Sequence, residues 1–120
     1  KADGYGHGAL DTALHLADHC GVEAFAVATL EEGIALRKAL DSTNKSQSSQ
    51  TTSQRPARIR ILVLGPPVGH PRSFDEYHFH NIEVMIPGAQ IAKSLMDWVA
   101  NADERKRNEA ERAAMEAREQ

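Results

Sequence analysis

A lysine, a tyrosine, a histidine and three alternating glycines crowd into the first eight residues, Lys1-Ala2-Asp3-Gly4-Tyr5-Gly6-His7-Gly8. These residue types in one short turn suit a Schiff-base site. The Lys1 amine can condense with an aldehyde, and a tight backbone leading into a helix can hold a phosphate. The glycine spacing does not fit Gly-x-Gly-x-x-Gly, because the third interval is wrong, so a dinucleotide site is rejected. The plainer alternatives are an exposed lysine at position 1 and a buried core tyrosine at position 5. With the reactive amine on residue 1, the chain is expected to begin inside an active site and to be a piece of a larger enzyme.

Other side chains invite different chemistry and carry less of it. His15 and His19 are four apart on a helical pattern but fall on its polar side, without the His-Glu-x-x-His arrangement of zinc hydrolases. His78 and His80 stand two apart near His70, Asp75 and Glu76, so a strand would point both rings one way. A solvated loop is the preferred reading there, and no metal is expected. The lone Cys20 excludes an internal disulfide and fits a reducing, cytoplasmic compartment. Inside a helical pattern it reads as a small buried hydrophobe rather than a nucleophile.

The elements that must position these residues can be read from periodicity. Ala9, Leu10, Ala13, Leu14, Ala17 and Cys20 recur at helical spacing, and Gly21 follows as a C-terminal cap. Ala24 to Leu30 is a short, nearly unbroken apolar run, which suggests a strand covered on both faces in a parallel sheet. Thr29 and Glu32 form a capping box for a helix over Leu30 to Leu40. Asp41 to Ala57 is rich in Ser, Thr and Gln and reads as a disordered insertion that cannot offset its ordering entropy. Ile59 to Gly65 and Ile82 to Ile86 read as further strands, with Val68 to Asn81 a polar, irregular connection. A long helix then carries Ile91, Leu95, Trp98 and Val99 on one stripe before turning into a charged tail over 101–120. Alternation of this kind predicts an α/β protein with a parallel sheet.

Composition narrows the partners. The 120 residues hold 17 acidic and 14 basic side chains, a net charge of −3, which lacks the basic balance of a nucleic-acid binder. No apolar run approaches the roughly 18–20 residues that a membrane-spanning helix requires. No charged segment followed by an apolar one marks a signal peptide.

Residues 1–8 resemble the pyridoxal-phosphate attachment motif of the alanine racemases, Lys-Ala-Asn/Asp-Ala-Tyr-Gly-His-Gly, with Gly4 in place of the usual alanine. The likeness continues through Gly21-Val22-Glu23-Ala24-Phe25-Ala26-Val27-Ala28-Thr29-Leu30-Glu31-Glu32-Gly33-Ile34-Ala35-Leu36-Arg37 and resumes at Ile61-Leu62-Val63-Leu64-Gly65. It implies the first βα units of a (β/α)8 TIM barrel of the fold-type III pyridoxal-phosphate class. Residues 1–100 would form part of that barrel, interrupted by 41–57 and followed by the charged helical tail 101–120.

Carried onto this sequence, the resemblance makes Lys1 the residue that forms the internal aldimine with pyridoxal 5'-phosphate and one of two catalytic bases. Tyr5 would bond the cofactor phosphate, and Leu64, at the end of the third barrel strand, would line the pocket. The implied reaction interconverts L- and D-alanine by two-base proton transfer on an amino-acid substrate. The full-length parent would be a homodimer whose partner subunit supplies the second base, a tyrosine; neither it nor the arginine facing the pyridine nitrogen is in these 120 residues. The 120 residues alone are expected to be inactive. Other readings are a non-catalytic cofactor-binding barrel, or a degenerate fragment acting only through its charged helix. The implied barrel also puts 41–57 on the face away from the chemistry, and the histidine loop on the active-site face, where it would shape substrate entry.

Overall fold

The computed structural model describes residues 8–46 and 54–119. Lys1 and Tyr5 lie outside the described residues. The chain divides into two units, 1–85 and 86–120.

The first unit runs α1 (Ala9–Cys20), β1 (Ala24–Val27), α2 (Leu30–Ser46), β2 (Arg60–Val63), α3 (Ser73–Phe79) and β3 (Glu83–Val84). Its three strands form one parallel sheet in the order β1-β2-β3, with Phe25 opposite Ile61 and Leu62 opposite Glu83. Parallel neighbours need crossovers, and α2 and α3 supply them. The expected α/β alternation with a parallel sheet is therefore what the chain forms.

Local chemistry sets the helix ends. Gly21 adopts the left-handed conformation at φ 66°, ψ 25°, and its N–H donates to the Leu16 carbonyl, closing α1. At the start of α2 the Glu32 carboxylate accepts from the N–H groups of Ala28 (2.9 Å) and Thr29 (3.4 Å). The Thr29 hydroxyl oxygen accepts in return from the Glu32 N–H at 3.3 Å, completing the expected capping box. Gly33 then lets α2 lie close over the sheet: a Cβ there would stand 3.3–3.5 Å from Ile82, Val63 and Val27.

The core lies between the helices and one face of the sheet. Leu36, Leu40, Ile61, Val63, Phe74, Tyr77 and Ile82 are buried in it, Ile61 completely. Each such large apolar side chain contributes about 1.5–3 kcal/mol by leaving water. The opposite face is bare. Ala24 and Ala26 are exposed there, so β1 is not covered on both sides as its unbroken apolar run suggests. Among the described residues of this unit, helices cover one side of the sheet only.

Three further readings change. The polar segment 68–81 is not irregular: it contains α3, which buries Phe74 and Tyr77, three residues apart on one face. Two apolar anchors in seven residues are too few for a periodic signal. The second helix continues to Ser46 rather than stopping at Leu40, and Arg55 is tied to α1 and α2, so both edges of the stretch expected to be disordered belong to the fold. The middle of that stretch, 47–53, lies outside the described residues. Cys20, in the last turn of α1, is exposed, whereas Ala13 and Ala17 pack inward.

Two arginines brace the first unit. Arg55 donates from Nε to Asp18 Oδ1 at 2.5 Å and from its second terminal nitrogen to Asp18 Oδ2 at 3.0 Å, while its first reaches the Leu40 carbonyl and the Thr43 hydroxyl. Arg37 donates to three backbone carbonyls, those of Ile59 (2.9 Å), His80 (3.0 Å) and Asn81 (2.9 Å). It thereby joins α2 to the segments that open β2 and β3.

The second unit holds α4 (Ala89–Ala100) and α5 (Ala102–Glu119), the expected long helix broken at Asn101. The Arg105 guanidinium lies 3.9 Å above the Trp98 ring and donates to the Trp98 carbonyl, holding the joint. No helix among the described residues is long and apolar enough to cross a membrane.

Candidate active site at the ends of the strands

Because all three strands run the same way, β1, β2 and β3 finish at one rim of the sheet. Residues just beyond them meet there. The Leu64 N–H donates to the Val27 carbonyl at 2.8 Å, and the Gly65 N–H to the Ala28 carbonyl at 3.2 Å, prolonging the β1–β2 ladder past its last pair. That approach needs a glycine: a Cβ at Gly65 would come within 2.8 Å of the Ala28 oxygen. Alternation along β2 buries Ile61 and Val63 under the helices and turns Leu62 and Leu64 to the bare face. Leu64 keeps 48% of its surface exposed.

The N-terminal end of α1 belongs to the same rim. An open, mainly apolar groove of about 420 Å³ is shared by Ala9, Leu10 and Ala13 of α1, Val27 at the end of β1 with Ala28 just after it, and Glu32 of α2. The chain therefore enters α1, at Gly8 and Ala9, where β1 ends. The groove itself opens under the helices alongside β1, whereas Leu64 projects from the other face of the sheet. The two are separate features of one rim.

Charge collects at the opposite end. Arg60, which opens β2, grips Glu83, which opens β3, through two hydrogen bonds of 2.7 and 3.1 Å on the bare face. The Arg60 guanidinium holds the Glu83 carboxyl below the usual carboxylate range, chiefly through the side-chain hydrogen bond. The bare face thus carries an ion pair where the strands start and apolar side chains where they stop.

The histidines go elsewhere. His78 lies in α3 and His80 caps its end, so they are not side by side on a strand. The His80 ring nitrogen Nε2 stands 3.3 Å from a Glu76 carboxylate oxygen. Its carbonyl shares Arg37 with that of Ile59, which puts His80 at the start of β2, across the sheet from Leu64. This pair does not line the rim. Among the described residues no group of three or more His, Cys, Asp or Glu side chains could hold a metal ion.

The motif and Leu64 stand out in the sequence; the roles of Gly65, in close strand approach, and of Arg37 do not. Arg37 could not be found from spacing, because its acceptors are backbone carbonyls 22 to 44 residues away.

Parallel strands with helical crossovers and a shared C-terminal rim define an α/β domain of the kind that fits part of a (β/α)8 barrel. The chain belongs to the family described as alanine racemase, N-terminal domain, whose sequence model matches residues 1–109. It is 35% identical over 106 residues to an alanine racemase of Clostridium kluyveri, covering 88% of this chain and 22% of that protein. It is 32% identical over 105 residues to a lysine racemase of Oenococcus oeni, covering 86% and 21%. A shorter stretch of 39 residues is 56% identical to alanine racemase 2 of Bacillus subtilis, covering 32% and 10%. The chain thus spans about a tenth to a fifth of the length of these relatives. No solved structure matches.

Proposed function

We propose that this chain is part of the cofactor-binding barrel of a pyridoxal-phosphate-dependent amino-acid racemase, of fold-type III, that interconverts L- and D-alanine. The reading is supported by where α1 starts: the helix that the Lys1–Gly8 motif immediately precedes in sequence begins at the rim where β1 and β2 end and Leu64 lies half-exposed. The donor set fits the group. A primary amine suits its aldehyde, a phenolic hydroxyl suits its phosphate, and an uncharged leucine at a strand end suits the face of its ring.

Pyridoxal phosphate, when bound, spreads the negative charge left on the substrate's α-carbon as a proton departs. The chain's own residues have narrower tasks. Lys1 would anchor the coenzyme through Nζ and, once displaced by the substrate amine, accept or return the α-proton on one side. Tyr5 would donate its hydroxyl hydrogen to the phosphate and fix the coenzyme's position. Leu64 would cover the ring and keep water from it. The base on the other side would come from a C-terminal domain of the partner subunit in a homodimer.

The test uses the intact protein that contains this segment. It should purify with bound pyridoxal phosphate, visible in its absorbance, and should racemise L-alanine; L-lysine is the control substrate. Lys1→Ala should abolish covalent attachment and racemisation while leaving far-UV circular dichroism unchanged. Full activity in that variant would sink the proposal.

A further inference from the structure

We propose that Met85 is a second apolar wall of the coenzyme site, standing beside Leu64 and contacting the edge of the bound heteroaromatic ring. This rests on the function proposed above. The argument is one of register. Leu62 is opposite Glu83 and Val63 opposite Val84, so the next step along the two parallel strands brings Leu64 and Met85 side by side. The face follows from the ion pair. Glu83 reaches Arg60, which shares its side of β2 with Leu62 and Leu64. Two residues beyond Glu83, Met85 returns to that side.

Both side chains are large, apolar and exposed, Leu64 at 48% and Met85 at 39%, just past strands in which Ile61 and Val63 are buried and Val27, Leu62 and Val84 are half-buried. Neighbouring strands lie about 4.8 Å apart, so the two side chains can touch one planar ring between them. A thioether suits this position. It is unbranched and polarisable, adapts to an irregular gap, and favours the edge of an aromatic ring.

The chain's other two methionines serve as internal controls, because Met96 and Met115 lie on α4 and α5 with 69% and 64% of their surface exposed. The intact protein is treated with dilute peroxide, loaded with pyridoxal phosphate and stripped of it, and each methionine sulfoxide is followed by peptide mass mapping. Loading should slow oxidation of Met85 by roughly fivefold or more while Met96 and Met115 react unchanged. Met85→Ala should weaken pyridoxal phosphate binding by roughly threefold to tenfold, and Met85→Leu should restore it. Equal oxidation of Met85 in the two forms, or unchanged affinity in Met85→Ala, overturns the proposal. A protein that retains coenzyme but leaves Met85 unprotected sinks this inference alone. One that retains none removes the functional reading and this inference together.

Discussion

Arg55 holds Asp18 with both oxygens engaged, and the two side chains are only 5% and 15% exposed. The pair joins the chain leading to β2 back onto α1, across 37 residues of sequence. Removing one member takes the opposite charge away from the other in a buried place, a loss of about 3–5 kcal/mol for such pairs. Arg55→Met should therefore lower the denaturation midpoint of the parent protein strongly, and Asp18→Ala likewise. The double variant should lose clearly less than the sum of the two. Additive losses would show that the two charges do not depend on each other.

Deletions within the same region separate anchor from filler. Removing 41–57 takes away Arg55 together with the last six residues of α2. Replacing only 47–53 by a short Gly/Ser linker keeps both. The first deletion should destabilise the protein severely, whereas the second should change stability by no more than about 0.5 kcal/mol. Thermal melts of the two deletion variants side by side check this, and equal melting temperatures would contradict the anchoring role of Arg55.

Arg37 satisfies three carbonyls with one planar group. Lysine cannot imitate that geometry, since its ammonium is a single point at the end of a flexible stem. Arg37→Lys and Arg37→Ala should both cost on the order of 3 kcal/mol, with little difference between them. Chemical denaturation measures this. Near-complete rescue by lysine would mean that charge alone is needed.

Gly65→Ala places a methyl group 2.8 Å from the Ala28 carbonyl oxygen, so the end of β2 must move away from β1. The expected loss is roughly 1–3 kcal/mol of stability. Leu64 precedes Gly65, so the variant should also bind coenzyme more weakly. Wild-type binding in a destabilised variant would disconnect this strand end from the site.

Burial raises the Tyr77 phenol above its ordinary value, with a smaller push from Glu31. The neutral form is the one the fold prefers, so this contribution is fully present below about pH 10 and is lost as pH rises through the higher folded value. Stability measured from pH 7 to 11 should hold level and then fall. Tyr77→Phe should remove that part of the fall. An unchanged alkaline slope in Tyr77→Phe would assign the effect to another group.

What the sequence made legible was short-range. Thr29 and Glu32 announce their cap because both halves of the interaction sit within four residues, and Gly21 needs only its own backbone. The strands announce themselves by apolar continuity, although each is shorter than its run. α3 stayed hidden because Phe74 and Tyr77 are buried by elements far away in sequence, not by any pattern of their own. Arg37 and Arg55 stayed hidden for the same reason. Of the site, Leu64 is half-exposed where β2 ends, and Lys1 and Tyr5 lie outside the described residues.

The one-in, one-out order of β2 has a genetic corollary. A single codon gained or lost between Arg60 and Val63 would put Arg60 and Leu64 on opposite faces, sending either the leucine inward beneath the helices or the Arg60 cation into a greasy layer. Point substitutions in this strand are survivable by size and polarity; indels are not. Sister genes diverging from this one should therefore vary freely in letters here and never in spacing.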